Sequence, residues 1–179
     1  MGPTVIFDTF YGATHQYARE LAERTGARLL DLDMAGNQAE LDRLYAEQAP
    51  LVVLSPVHGP QIRGAAFVAE HGFSHRPVAV AAVGMTLLED ARKKDQLSGA
   101  LGDYHAVERF YLPGRMNYSA LSAKHRAIMT SLITALKLKP RKSDNEKYMI
   151  ECYDKDVDHV DLAELEPIVE WIVRNSALG

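Results

Sequence analysis

Five short apolar segments, separated by segments with helical spacing, constrain the fold of this chain more than any other feature. The strand-like segments are residues 3–8, 27–32, 50–55, 77–84 and 106–112. The first, third and fourth are continuously apolar, which is typical of strands that helices cover on both faces. The alternation predicts an α/β fold: a doubly wound five-stranded parallel sheet with right-handed crossovers.

Helical spacing follows the strand-like segments. We expect helices after Thr14, around 41–45, over 62–71, over 87–101 and from a candidate N-cap at Asp161 onward. In the last of these, one stripe contains Leu162, Leu165, Ile168, Val169, Ile172 and Val173. That spacing predicts an amphipathic helix.

Length and composition bound the class of protein. The 179 residues predict a single domain over 1–179, with an insertion at 113–150. A formal net charge of -4 argues against a nucleic-acid-binding domain. The one cysteine, Cys152, cannot form an intrachain disulfide, and no Cys or His cluster has ligand spacing, so no metal is expected. Without a signal peptide or an apolar run near the ~20 residues of a membrane span, we expect a cytoplasmic protein.

The turn after the first strand is the strongest candidate site. It contains Thr9, Phe10, Tyr11, Gly12, Ala13 and Thr14, and a helix follows at once. In doubly wound sheets, ligands bind beyond the carboxyl ends of the strands. Two hydroxyls, a glycine and the unpaired amides of a helix N-terminus form an anion site without a lysine, which suits a phosphate. The alternative is that Thr9 and Thr14 are only turn and cap residues.

Two further strand ends carry small loops. The third strand is followed by Pro56, Val57, His58 and Gly59, and the fourth ends in Gly84, Met85 and Thr86. With the first turn, these loops resemble the flavodoxin family: T-x-x-G-x-T falls on Thr9, Gly12 and Thr14, and SPVHG falls on the second loop. The resemblance covers the whole sheet. It implies strand order 2-1-3-4-5 and FMN as the cofactor, with its phosphate in the first turn and its isoalloxazine ring between the other two loops.

The chain departs from the family at the ring. Flavodoxins commonly stack the flavin between aromatic side chains of the second and third loops, where this sequence offers His58 and Met85. His58 either covers the ring or is a polar surface residue. By resemblance, the His58–Gly59 peptide is a candidate partner for flavin N5, since glycine permits the peptide to flip.

The insertion carries most of the positive charge. From Arg115 to Lys147 there are eight Lys or Arg and two Asp or Glu, a local net charge of +6. Ser119 or Ser122 could cap a helix with Ile128, Met129, Leu132, Ile133 and Leu136 on one face. Three roles stay open for it: a structural cap on the sheet, a peripheral contact with an anionic membrane at its inner face, or a homodimer contact.

The insertion also carries a closer resemblance. The segments GRMNY, at 114–118, and YDKDVDHVDLAELEPIVEWI resemble the flavodoxin-like bacterial FMN-dependent protoporphyrinogen IX dehydrogenases. This implies an oxidoreductase of heme biosynthesis that passes electrons from a porphyrinogen to a quinone. Arg115 is then a candidate for a substrate carboxylate, and Tyr118 for contact with flavin or substrate. No residue is an obvious general base, so no catalytic side chain is assigned. An electron-carrier flavodoxin and a cofactor-free interaction module are the alternatives.

Overall fold

A computed structural model describes residues 2–58, 61–102, 104 and 106–177. Its main sheet has five parallel strands in the order β2-β1-β3-β4-β5. The strands are β1 (Thr4–Phe7), β2 (Arg28–Asp31), β3 (Leu51–Pro56), β4 (Val78–Gly84) and β5 (Val107–Pro113). The predicted fold class and strand order are confirmed, and each strand lies within two residues of its predicted ends.

Nine helices are present in the described residues. They are α1 (Ala13–Thr25), α2 (Leu32–Ala35), α3 (Gln38–Ala46), α4 (Arg63–His71), α5 (Leu88–Lys94), α6 (Ser98–Leu101), α7 (Ala123–Leu138), α8 (Asp144–Glu151) and α9 (Glu166–Ser176). The prediction of one helix over 87–101 was wrong, because the segment forms two helices, α5 and α6. Asp95 ends α5 with a left-handed backbone conformation, φ 45°. The carboxylate of Asp95 accepts hydrogen bonds from Arg109 and Tyr111 on β5.

The core has one layer on each face of the sheet. Consecutive residues of β1 show this arrangement, since Val5 packs in the layer that contains α1 and α9, whereas Ile6 packs in the layer that contains α3 and α4. The apolar runs of β1, β3 and β4 are buried for this reason. The stripe of the last helix is confirmed at Leu165, Ile168 and Ile172, whereas Val173 is exposed and Trp171 is buried instead.

The insertion closes on itself beyond β5. It forms β6 (Arg115–Met116), a 3-10 turn (Tyr118–Ala120), α7, α8 and β7 (Val157–Asp158), and β7 pairs antiparallel with β6. The closed unit therefore extends past residue 150, where we predicted its end. Three alternating aspartates in and before β7 connect this end of the insertion to its beginning. Their carboxylates accept hydrogen bonds: Asp154 from Arg126, Asp156 from Ser119 and Asp158 from Arg115. Within the described residues, no three His, Cys, Asp or Glu side chains are grouped to hold a metal ion.

The hydroxyl of Tyr17 joins both ends of the insertion to α1. It donates a hydrogen bond to the carbonyl of Pro113 (2.7 Å) and accepts one from the amide of Asp161 (2.8 Å). The side chain is fully buried, and burial raises the pKa of Tyr17 from 10.0 to about 12. Asp161 caps a short 3-10 turn, Leu162–Leu165, that leads into α9.

Helix α7 differs from its prediction in the face that it buries. Ser122, not Ser119, caps it, because the Ser122 hydroxyl accepts from the amide of His125 (3.3 Å). Ile133 is 1% exposed, but Ile128 and Leu132 are 55% and 41% exposed, so the five apolar residues do not share one packed face. No described helix is both long enough and apolar enough to cross a bilayer.

Candidate functional site

The turn between β1 and α1 has the geometry of an anion site. Gly12 has a φ of 83°, which a residue with a side chain adopts only with strain, and it immediately precedes the first turn of α1. The Gly12 amide donates to Thr9 Oγ1 (3.2 Å), so the hydroxyl hydrogen of Thr9 is left to bond elsewhere. Thr14 is 2% exposed in the first turn of the helix. The first amides of an α-helix have no partner within the helix and point outward, toward a ligand placed here.

The second and third loops lie at the same edge of the sheet. Strand β3 is the neighbour of both β1 and β4, and the Val57 amide donates to the Val83 carbonyl (2.9 Å). Gly84 is close-packed there, since a Cβ on it would lie 3.2 Å from a methyl of Val57. Val57 and Gly84 thus pack against each other at the ends of β3 and β4. Thr86 accepts a hydrogen bond from Gln96 (2.8 Å).

Four aromatic side chains, from the first turn, the second loop and α7, form a cluster at this edge. His58 stacks on Phe10 of the first turn, with ring centroids 4.3 Å apart and planes 26° apart. His125, at the start of α7, lies edge-on to both, 5.3 Å from His58 and 5.7 Å from Phe10. Tyr11 packs edge-on against Phe10. His125 was not predicted as a site residue, because only the fold of the insertion brings α7 to the second loop.

The proposed partner of flavin N5 cannot be placed. The His58 amide donates to the Gln61 carbonyl (3.2 Å), but Gly59 lies outside the described residues. The role of the His58–Gly59 peptide therefore stays a prediction.

Arg115 lies beside the first turn. Its Nη1 donates to the Tyr11 carbonyl (3.4 Å), and its Nη2 donates to Gln16 Oε1 (2.9 Å) and to Asp158 Oδ2 (2.8 Å). The hydrogen bond from Arg115 is the main reason that the pKa of Asp158 is below its ordinary value. The insertion also touches the third loop, where the Leu87 amide donates to Asn145 Oδ1 on α8 (3.0 Å).

An apolar cleft extends from the third loop into the insertion. Its lining is almost entirely apolar and consists of Met85, Met116, Tyr118, Met129, Tyr148, Met149 and Cys152. Four of the six methionines of the chain meet here, from four separate elements or loops. The cleft is small, about 40 Å³, but methionine side chains are flexible and polarizable, so its lining can repack around an apolar group. Tyr118 is buried, and burial raises its pKa.

A larger cavity, about 540 Å³, lies away from these loops. It adjoins residues 109–111 in the middle of β5, together with Arg92, Asp95, Glu164 and Pro167. Its charged groups are paired with one another, Arg92 with Glu164 and Arg109 with Asp95. We therefore assign the candidate site to the carboxyl edge of the sheet.

The residues at that edge fit FMN. The first turn offers donors to a phosphate, and the second and third loops lie beside it at the carboxyl ends of β3 and β4. A family model described as a flavodoxin domain matches residues 4–144, more than three quarters of the chain. The chain therefore belongs to the flavodoxin-domain family, and its cofactor is FMN, which that family binds. Comparison with curated proteins yields no significant match.

Proposed function

We propose that this chain is an FMN-dependent oxidoreductase whose substrate site is built by the insertion. The observation that carries the proposal is that the insertion contacts all three strand-end loops: Arg115 meets the first, His125 the second and Asn145 the third. A minimal electron carrier needs an exposed flavin edge for a protein partner and no such cover. The cofactor, when bound, supplies hydride and single-electron transfer, and the protein supplies placement and electrostatics.

The site residues have separate parts in this proposal. Thr9, Gly12, Ala13 and Thr14 hold the phosphate through hydroxyls and helix amides, while Phe10 and Tyr11 shape the outer side of the turn. The ring lies against Pro56, Val57 and His58 on one loop and Gly84, Met85 and Thr86 on the other.

For the reaction, we propose the protoporphyrinogen IX dehydrogenase type. A porphyrinogen would lose six hydrogens in three two-electron oxidations, and in each of them one quinone would take up two electrons and two protons to become a quinol. The methionine-lined cleft beside Met85 supports this, because its flexible apolar lining lies next to the third loop, and Tyr118, the candidate for contact with flavin or substrate, belongs to that lining. Arg115, the sequence-based candidate for a substrate carboxylate, lies against the first turn and is better suited to an anion bound in that turn.

The first experiment is the visible spectrum of the purified protein, followed by titration of the apoprotein with FMN and riboflavin. Flavin bands and tighter binding of FMN are expected. An anaerobic assay with protoporphyrinogen and 2,3-dimethyl-1,4-naphthoquinone then tests the reaction. Met149→Glu should lower kcat/KM at least tenfold, while Met34→Glu on exposed α2 leaves it unchanged. A colourless protein that ignores FMN would contradict the oxidoreductase and favour a cofactor-free interaction module. A flavoprotein that reduces only protein acceptors would favour the electron carrier.

For a partner, we propose that α7 rests on an anionic lipid surface. Residues 127–136 contain no charge, and the outward side chains Ile128, Leu132 and Leu138 form an exposed stripe. Basic residues flank the uncharged segment 127–136: Lys124 precedes it, and Lys137, Lys139, Arg141 and Lys142 follow it. An apolar surface flanked by basic residues is typical of a helix that lies on a membrane. Two copies that met through the stripe would bring the same cations together, which disfavours a homodimer.

Vesicle sedimentation tests this contact. The protein should bind phosphatidylglycerol vesicles at low ionic strength, release them in salt and ignore phosphatidylcholine. The double variant Ile128→Glu, Leu132→Glu should lose binding, and Met34→Glu, which changes an exposed methionine elsewhere, should retain it. No binding at low ionic strength, or a dimer in ultracentrifugation that the double variant abolishes, would overturn the lipid proposal.

A further inference from the structure

Arg115 approaches the phosphate turn from the insertion. A Cβ built on Gly12 would lie 3.6 Å from Arg115 Nη1, the nitrogen that also contacts the Tyr11 carbonyl. The guanidinium thus lies where it would touch a side chain at position 12, directly beside the turn. Its other terminal nitrogen bonds Gln16, one helical turn along α1.

The chemistry of the guanidinium suits a phosphate at this position. Arginine carries five N–H donors in a planar fork that matches two phosphate oxygens, and it stays charged at all accessible pH values. The bond from Nη1 to Tyr11 is long, 3.4 Å, and its acceptor is a neutral carbonyl. A phosphate oxygen in the turn is a charged acceptor and makes the stronger, shorter bond.

The same side chain holds the insertion closed. Arg115 and Asp158 are directly paired residues of the β6–β7 ladder, and their side chains form an ion pair at 2.8 Å. Asp158 therefore holds the guanidinium from the side of the insertion, while Gln16 holds it from the side of α1. Arg115 thus contributes to closure of the insertion and at the same time places a cation beside the turn.

We infer that Arg115 is the cationic partner of the cofactor phosphate, and that through it phosphate binding and closure of the insertion strengthen each other. This rests on the proposed FMN site and adds to it a specificity residue outside the turn. Thermodynamic linkage makes this coupling reciprocal. If phosphate binding stabilises the closed insertion by a given free energy, closure strengthens phosphate binding by the same free energy.

Titrations of the full-length apoprotein with FMN and riboflavin test the inference, because the two ligands differ only in the phosphate. Arg115→Met should weaken FMN binding at least tenfold and leave riboflavin binding unchanged, and Arg115→Lys should fall between. Arg126→Met is the matched control, since Arg126 pairs with Asp154 in the same insertion but not with the turn; it should change neither affinity.

Limited proteolysis tests the coupling. FMN should protect residues 113–160 of the wild-type protein from cleavage several-fold better than riboflavin does, and Arg115→Met should remove this difference. If Arg115→Met leaves the ratio of FMN affinity to riboflavin affinity unchanged, the inference is overturned and the FMN site remains. A wild-type protein that binds no FMN would overturn the proposed function and the inference with it.

Discussion

Helices α7 and α9 carry apolar residues at similar spacing, yet they use them differently. α9 buries Ile168, Trp171 and Ile172 against the sheet and α1, in the same core layer as Tyr17. α7 buries Ile133 and leaves Ile128 and Leu138 outward, the latter 80% exposed. Spacing thus establishes that a helix has an apolar side, but whether that side enters the core depends on which elements lie next to it.

The difference separates apolar residues that stabilise the core from apolar residues that face solvent. Burial of α9 contributes directly to the hydrophobic core, whereas the apolar surface of α7 remains in contact with water and available to a partner. This contrast predicts which substitutions should lower the free energy of unfolding most.

The largest effect is expected from truncation of the buried stripe. Ile168→Ala should lower the free energy of unfolding by about 2–5 kcal/mol, because it leaves a cavity at a fully buried site. The matched change Ile128→Ala on α7 should alter it by less than about 0.5 kcal/mol. Urea denaturation of both variants gives the comparison, and similar losses in the two would refute it.

Tyr17→Phe should have the second largest effect on stability, because the Tyr17 hydroxyl links the core helix α1 to both ends of the insertion. The change leaves the Pro113 carbonyl and the Asp161 amide without their partner, at a cost of about 1–3 kcal/mol. Proteolysis within 113–160 should rise together with the loss of global stability. A variant as stable as the wild type would show that the insertion does not depend on this hydroxyl.

Alkaline pH should reproduce part of that effect. Burial raises the pKa of Tyr17 to about 12 from 10.0, so the folded state retains a proton that the unfolded state releases. The contribution of Tyr17 is complete below pH 10 and is lost as the pH rises from 10 to 12. Unfolding free energies measured from pH 8 to 12 should therefore fall more steeply for the wild type than for Tyr17→Phe. Parallel curves would contradict the assignment.

Removal of the α7 cap should have the smallest effect. Ser122→Ala removes the acceptor of the His125 amide and should destabilise the start of α7 by about 1 kcal/mol. Amide exchange should quicken in the first turn of α7 while α9 is unchanged. Faster exchange in both helices would mean that they unfold as one unit.

Much of the sheet could be predicted from the sequence. Continuous apolar runs located the three central strands β1, β3 and β4, because a strand covered on both faces must be apolar throughout. The alternation with helical segments located β2 and β5, and the resemblance supplied the strand order. The first turn was found for a similar reason: Thr9, Gly12 and Thr14 are neighbours in the chain, and their geometry is set locally by the start of α1.

The features that the sequence did not predict depend on contacts between distant residues. The break at Asp95 accompanies hydrogen bonds to Arg109 and Tyr111, and His125 meets His58 only across the insertion. The methionine cleft likewise joins Met85 to residues of the insertion.

By itself, therefore, the sequence determined the layers of the sheet and the turn between β1 and α1, because short-range periodicity and helix-start chemistry are properties of adjacent residues. Only the tertiary structure decided which face of α7 is left to solvent and that Arg115 lies beside Gly12. Both follow from the closure of the insertion through β6, β7 and Tyr17, a set of long-range contacts that no local pattern encodes.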